Sequence, residues 1–256
     1  TISPILKKSG FKSQFNPMNY KDLKYFIFSL KSLNISNISA FNSPLNDNIN
    51  TYKLRESFKE LFLYKIIDSN CELTDLGKNV SKLNLPIEQC IMLLKGVEKK
   101  CSNEILVIIS IMKFDIFKQN YKKKSLTKKL YGVTEGDLLS EMNILNKYKY
   151  SKKKGKVMND CRLDINSLNK ALDYIYYLQA LCKVLNIELI NSSDLEGDNI
   201  LECIMLSYLF HLGIRQTDGT YLLNNLKIKL HPSSVLIDEV PEYILCHTFI
   251  KEDDNF

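Results

Sequence analysis

The sequence has no Trp, few Gly and Pro residues, and no long apolar run. Its longest apolar stretch, near residues 105–112, is far shorter than the roughly 20 residues that a membrane-spanning helix requires. The chain does not open with a signal peptide, and its first residue is Thr rather than Met. We therefore expect part of a longer protein, with no membrane among its partners.

The seven cysteines lack the spacing of a disulfide framework or of a zinc site. They are odd in number and scattered, without a Cys-x-x-Cys pair, whereas both kinds of site show paired spacing. We expect free thiols that pack as small hydrophobic side chains in a reducing compartment. They are Cys71, Cys90, Cys101, Cys161, Cys182, Cys203 and Cys246.

No arrangement of residues predicts a catalytic site or a metal site in this chain. The sequence contains no Gly-x-x-x-x-Gly-Lys-Ser/Thr loop, which would cradle the phosphates of a nucleotide. His211, Cys246 and His247 do not have the spacing of metal ligands. We predict no catalytic residue, no metal and no cofactor in this chain.

The positive charge is concentrated in one segment. The chain has a formal net charge of +6, and residues 122–156 contain 11 Lys, no Arg and 3 acidic residues. A local field of this sign attracts polyanions such as nucleic acid. The alternative interpretation is that these lysines only solvate loops and helix surfaces.

With 45% hydrophobic and 25% charged residues, the chain has the composition of an ordinary globular protein. Its length fits one large domain or two to three small ones. Helical periodicity predicts amphipathic helices at 19–33 and 51–65. A third helix follows Thr74, a candidate N-cap. This order is typical of a winged-helix module, which either binds nucleic acid or serves only for packing.

Residues 86–190 are predicted to be all-helical, and the pattern changes after residue 190. Helices are expected at 87–99, 102–114, 135–147 and 163–185, with basic connectors at 122–130 and 152–156. Residues 222–230 alternate with period two, which predicts a half-buried strand, and further strands are expected at 233–237 and 243–250. Asp218-Gly219 predicts a tight reversal. Several short strands in this segment suggest a small β-barrel.

Short motifs in the same order resemble the region that follows the two RecA-like domains of DEAH-box RNA helicases. Leu73-Thr74-Asp75-Leu76-Gly77 is similar to the "LTxLG" element of that family, and Glu135-Gly136-Asp137-Leu138-Leu139 to "EGDHLT". His231-Pro232-Ser233-Ser234 matches "HPSS", the most specific of these elements. Pro241-Glu242-Tyr243 stands where the family has "PEW", and the first six residues resemble a degraded "TxPEI".

The resemblance implies an α+β multidomain fold: a winged helix at 1–85, an all-α ratchet domain at 86–190, and an oligonucleotide-binding (OB) fold, a small β-barrel, at 191–256. It implies a nuclear, C-terminal accessory module that guides single-stranded RNA, with splicing as the favoured pathway. ATP and Mg²⁺ would belong to the RecA-like domains of the parent enzyme. The chain itself has no Asp-Glu-Ala-His box. The alternative is a docking platform for glycine-rich (G-patch) activators or spliceosome components.

The sequence departs from the family pattern at several positions. Leu138 replaces the His of "EGDH", Asn166 stands where Arg is common, and Tyr208 where Gly is common. Val157-Met158 stands where the family often has Trp-Cys. These changes indicate a divergent member, and they put in doubt any RNA contact made through the missing Arg or His.

The candidate RNA-binding residues lie on or near the predicted barrel strands, where a basic groove and stacking side chains bind single strands. His231 is a candidate for a base contact or for organising a strand turn. Glu135, Gly136 and Asp137 are interpreted as structural, because acidic groups are favoured at a helix N-terminus. The candidate RNA-binding residues are Arg215, Lys227, Lys229, His231, Ser233 and Ser234.

Overall fold

The computed structural model describes residues 20–35, 51–117, 133–193 and 197–249. It divides into two compact units, Thr1–Asn84 and Leu85–Phe256. The described residues form helices and one small antiparallel sheet, which confirms the α+β class. No helix in these ranges combines the length and the apolar character needed to cross a membrane.

The described residues of the first unit form three helices: α1 (Tyr20–Ser32), α2 (Thr51–Leu63) and α3 (Asp75–Leu83). α1 buries Leu23, Ile27 and Leu30 and packs against α2 and α3. The only β pairing in the described part of this unit is an isolated bridge between Ile67 and Leu73. The helix order matches the prediction, but these residues supply no strand pair for a wing.

The segment Leu73–Gly77 is a capped helix start packed tightly against the chain before it. The Thr74 hydroxyl accepts a hydrogen bond from Gly77 N at 3.0 Å and donates to Lys65 O at 2.6 Å. Thr74 N donates to Ile66 O at 3.0 Å. A side chain at Gly77 would overlap the Ile66 carbonyl oxygen. The predicted cap is confirmed, and the Gly is required by this close approach.

The second unit is built around a buried helix. Its helices are α4 (Ile87–Glu98), α5 (Ser102–Lys113), α6 (Asp137–Tyr150), α7 (Lys154–Asp160), α8 (Ile165–Val184) and α9 (Asp198–Ser207). Seven consecutive residues of α5, 105–111, are buried. α5 packs against α4, α6 and α8, while α9 packs against α4. The prediction that α5 is buried is confirmed.

All seven cysteines are free thiols, and five of them are buried. Burial raises the pKa of Cys90 to about 12. The Sγ atoms of Cys101 and Cys203 lie 3.8 Å apart in the core. These buried side chains act as small apolar groups, as the sequence predicts.

The sheet consists of β1 (Leu212–Arg215), β2 (Tyr221–Leu223), β3 (Leu226–Ile228) and β4 (Tyr243–Leu245), in the order β3-β2-β1-β4. β3 and β4 lie at opposite edges and do not pair with each other. The described residues therefore form an open sheet, and the predicted closed barrel is wrong for them.

Two local features explain the open sheet. The predicted strand 233–237 is instead a turn and a short 3₁₀ helix, Val235–Ile237, because the Ser234 hydroxyl accepts a hydrogen bond from Leu236 N at 3.2 Å. The predicted strand 222–230 is split into β2 and β3. Asn224 and Asn225 have φ values of 46° and 67°, which suit a tight hairpin turn. Residues 233–237, which were predicted to continue the sheet toward a closed barrel, therefore form a turn and a 3₁₀ helix and not a strand.

Candidate nucleic-acid interface

The sheet has one buried face and one exposed apolar face. Residues paired across antiparallel strands lie on the same face, so the register sorts the side chains. The buried face contains Gly213, Tyr221, Leu223 and Ile244. The exposed face carries an aromatic ring and three aliphatic side chains, with Tyr243 55% exposed. Its members are Leu212, Ile214, Leu222 and Tyr243.

The three candidate cations are all exposed, but they lie in different surroundings. Lys227 pairs with Leu222 across the strands and so borders the exposed apolar face. Lys229 follows the last residue of β3. Arg215 lies at the end of β1, where its guanidinium donates to Val240 O at 3.3 Å. β3 ends at Ile228, so Lys229 lies outside the strand that was predicted to continue to residue 230.

Lys227 is held by an acidic partner. Its ammonium lies 2.9 Å from an Asp218 carboxylate oxygen, and both side chains are largely solvent-accessible. The Thr220 hydroxyl, followed by the Lys227 ammonium, holds the pKa of Asp218 well below its usual range. Asp218 therefore stays ionised and partly neutralises Lys227. Within the described ranges Lys229 makes no ion pair.

The His231–Ser234 segment is a self-bonded turn. Ser233 N donates to His231 Nδ1 at 3.2 Å, and Ser233 Oγ lies 2.7 Å from the same nitrogen. Ser234 N donates to His231 O at 2.9 Å. Ser233 and Ser234 are buried, whereas His231 is half-buried. Both serines therefore contribute to the turn, and among the three polar residues of the motif His231 is the one with a partly exposed side chain.

A hydrogen bond joins the first turn of α6 to Val235, which directly follows the His231–Ser234 motif and lies 98 residues after Asp137. The Asp137 carboxylate, in the first turn of α6, accepts from Val235 N at 2.9 Å. Gly136, just before the helix, has a φ of 128°, a conformation that favours Gly. The Ser140 hydroxyl donates to Gly136 O at 2.7 Å. We call the Asp137–Val235 bond the motif clip.

The acidic group at the start of α6 was predictable from the sequence, but its long-range partner was not. An acid in the first helical turn is fully explained by the helix dipole, so nothing in the local pattern pointed to a bond with a distant turn. The chemistry that this site offers is binding: exposed cations, an aromatic ring and an apolar surface. Across the described residues no group of three or more His, Cys, Asp or Glu side chains could hold a metal ion.

Comparison with curated proteins found several RNA helicases similar to this chain. It is 27% identical over 241 residues to the ATP-dependent RNA helicase DHX33 of Drosophila melanogaster, covering 90% of this chain and 34% of the relative. It is 25% identical over 205 residues to a probable ATP-dependent RNA helicase, a DHX35 homologue, of Caenorhabditis elegans. This match covers 77% of this chain and 28% of the relative.

A third relative is a putative pre-mRNA-splicing factor ATP-dependent RNA helicase of Schizosaccharomyces pombe. It is 25% identical over 245 residues, covering 91% of this chain and 37% of the relative. No protein-family model matches the chain. The chain thus spans about a third of the length of the curated relatives it matches.

Proposed function

We propose that this chain, a homologue of the DEAH-box ATP-dependent RNA helicases, is an accessory module that binds and guides single-stranded RNA for a RecA-like motor. One observation carries the proposal: the similarity extends over 90% of this chain but over only 34% of a relative named as an RNA helicase. ATP and Mg²⁺ would be held by the motor. A nuclear role in splicing is part of the proposal, because one relative is named a putative pre-mRNA-splicing factor.

The finer architecture belongs to the same proposal. Residues 1–85 would serve as a winged helix, 86–190 as the ratchet domain, and 191–256 as an oligonucleotide-binding unit with an open sheet. The exposed face of that sheet supports this role, because it combines an aromatic ring, Tyr243, with a cation at its border, Lys227. Single strands bind surfaces where cations follow the phosphates and aromatic rings stack on bases.

The expected binding is electrostatic and weakly sequence-specific. Each neutralised phosphate contributes a slope of about −0.7 to the dependence of log affinity on log salt for a single strand. Three contacts through Arg215, Lys227 and Lys229 predict an approximately 20-fold loss of affinity between roughly 50 and 200 mM salt.

Fluorescence anisotropy of the whole chain with a labelled oligouridine of about 12 nucleotides tests this. Charge reversal of both Lys227 and Lys229 to Glu should weaken binding and flatten the salt dependence. The proposal would be wrong if binding were absent, if it did not depend on salt, or if the reversed variant bound as tightly as the unaltered chain.

Replacing Asp218 by Asn should strengthen RNA binding a few-fold, because it removes the carboxylate that competes with an RNA phosphate for Lys227. Asn keeps the side-chain oxygen that accepts from Thr220 N and the Thr220 hydroxyl, so the turn is preserved. Asp173→Asn, an exposed carboxylate on α8, controls for net charge. Lys227→Gln in the Asp218→Asn background should remove the gain; a gain that persists would contradict this role of Lys227.

The exposed apolar face also favours a second candidate function, docking of a G-patch activator. The side chains of Ile214 and Leu222 are exposed neighbours on adjacent strands, and such apolar patches mark interaction surfaces. An activator peptide should then be retained by the unaltered chain and lost by an Ile214→Ser, Leu222→Ser variant. Retention of the peptide without any RNA binding would favour docking over RNA guidance.

A further inference from the structure

The segment that joins α6 to α7 carries a dense positive charge. Six of the ten residues from 147 to 156 are Lys, and there is no acidic residue from 142 to 159. This is the described part of the basic region 122–156; the rest of that cluster, 122–130, lies outside the described residues. We call residues 147–156 the lysine turn.

The lysine turn has a defined geometry. α6 ends at Tyr150, and the Ser151 hydroxyl accepts a hydrogen bond from Lys153 N at 3.0 Å, which reverses the chain into α7. The Lys154 ammonium lies 5.4 Å from the centre of the Tyr148 ring. That contact joins the start of α7 to the buried side of α6, because Tyr148 is buried. The turn therefore presents its remaining lysines from a fixed backbone.

Structural roles account for only part of the charge. Lys147 and Lys149 lie in the last turn of α6, where the helix dipole favours cations, and Lys154 packs against Tyr148. Lys152, Lys153 and Lys156 are exposed, and within the described residues they make no ion pair. Three like charges held this close repel one another, and no ion pair among the described residues offsets that repulsion.

An exposed aromatic ring belongs to the same turn. Tyr150 is 74% exposed, and the Lys149 ammonium lies 5.3 Å from the centre of its ring. An exposed tyrosine among unpaired lysines offers a stacking surface next to phosphate ligands, the combination that holds single-stranded nucleic acid. An acidic peptide would form ion pairs with the lysines alone and would not need the Tyr150 ring.

We propose that the lysine turn is a second RNA contact, remote in sequence from the sheet. Lys152, Lys153 and Lys156 bind phosphodiester groups of a single strand, and Tyr150 stacks on one of its bases. The inference rests on the proposed function and adds a separate site to it. Both sites lie in the second unit, so a strand bound by both would be held at two points.

The test compares two triple variants of the whole chain in the oligouridine anisotropy assay. Lys152→Gln, Lys153→Gln, Lys156→Gln should lower affinity at least about tenfold and reduce the salt slope by roughly 2, since each lost phosphate contact removes about 0.7. Lys100→Gln, Lys170→Gln, Lys183→Gln removes the same charge from exposed positions elsewhere in the second unit and should leave the salt slope unchanged.

The stacking step is tested separately. Tyr150→Ala should weaken oligouridine binding about fivefold or more, whereas Tyr150→Phe should retain it, because stacking needs the ring and not the hydroxyl. A polyglutamate of matched charge should compete poorly with the RNA. If polyglutamate competes equally and Tyr150→Ala has no effect, the turn is a site for acidic proteins and the inference is overturned.

The outcomes separate the two proposals. If the unaltered chain binds RNA and both triple variants bind equally well, the lysine turn is not a contact, while RNA binding by the chain stands. If the unaltered chain binds no RNA under any salt condition, the proposed function fails and the inference fails with it.

Discussion

Replacement of Gly77 by Ala is expected to destabilise the first unit by about 3 kcal/mol, the upper end of the usual cost of overpacking. The added methyl group would overlap the Ile66 carbonyl oxygen and press on the Leu73 side chain. Because the obstacle is backbone, no change of rotamer relieves it. The same segment carries the Thr74 hydrogen bonds to Lys65 O and Ile66 O, so a shift of the chain would weaken those as well.

Helix propensity acts in the opposite direction but is smaller. Gly77 lies inside α3, where Ala would be favoured over Gly by about 1 kcal/mol if there were space. Gly155 in α7 supplies the matched control, because a side chain there would meet nothing within 4 Å. Gly155→Ala is therefore expected to be neutral or stabilising by up to about 1 kcal/mol.

Hydrogen-exchange mass spectrometry of the whole chain measures both effects locally. Gly77→Ala should speed exchange in peptides from residues 61–83 and lower the unfolding midpoint seen by circular dichroism. Gly155→Ala should do neither. Unchanged protection of 61–83 in Gly77→Ala would contradict the close approach of α3 to Ile66.

Removal of the motif clip is the second large expected effect. Asp137→Ala should destabilise the His231–Ile237 region by about 2–3 kcal/mol, because hydrogen bonds to charged groups contribute about 1.5–3 kcal/mol. The variant also leaves Val235 N without its acceptor and removes a favourable charge from the start of α6. Asp137→Asn keeps an oxygen acceptor and should therefore lose less stability than Asp137→Ala.

Glu135 provides the control for the clip. It belongs to the same motif and has the same charge, but it is exposed and makes no bond to the distant turn. Glu135→Ala should change stability by no more than about 0.5 kcal/mol, as is usual for surface positions. The rate of hydrogen exchange in peptides covering 231–240 reports the outcome. If residues 231–240 exchange at the same rate in Asp137→Ala and in Glu135→Ala, the motif clip does not hold the turn.

The clip also shows where local sequence patterns stop being informative. The helix start at Asp137 and the cap at Thr74 were predictable, because each depends on neighbours within a few residues. The bond from Asp137 to Val235 depends on tertiary packing across 98 residues. The resemblance identified the motif that contains Asp137 and the His231–Ser234 motif. Nothing in either motif indicated that Asp137 bonds to the residue after the second one.

The sheet was misjudged for a related reason. The period-two alternation of residues 222–230 predicts one half-buried strand, yet the side chain of Leu226, in the middle of that segment, is 60% exposed. Leu226 pairs with buried Leu223 but belongs to the edge strand. Alternation assigns a face to each residue; it does not say how far the core extends beneath that face.

A buried ion pair in the first unit was also not predictable from the sequence. Lys24 on α1 and Glu60 on α2 form an ion pair at 3.0 Å, and both side chains are almost fully buried. Helical periodicity places polar residues on the solvent side, so it does not indicate that this pair is buried. A pair of this kind needs its partner supplied by another helix, which single-helix patterns do not reveal.

The central claim, that this chain binds single-stranded RNA through the second unit, is tested most directly by photocrosslinking. A 4-thiouridine oligonucleotide crosslinked to the whole chain and mapped by mass spectrometry should label peptides that contain the sheet residues 212–231 and the lysine turn 147–156. Labelling should fall as salt rises, because phosphate contacts are lost. Crosslinks confined to residues 51–84, or none at low salt, would contradict the account.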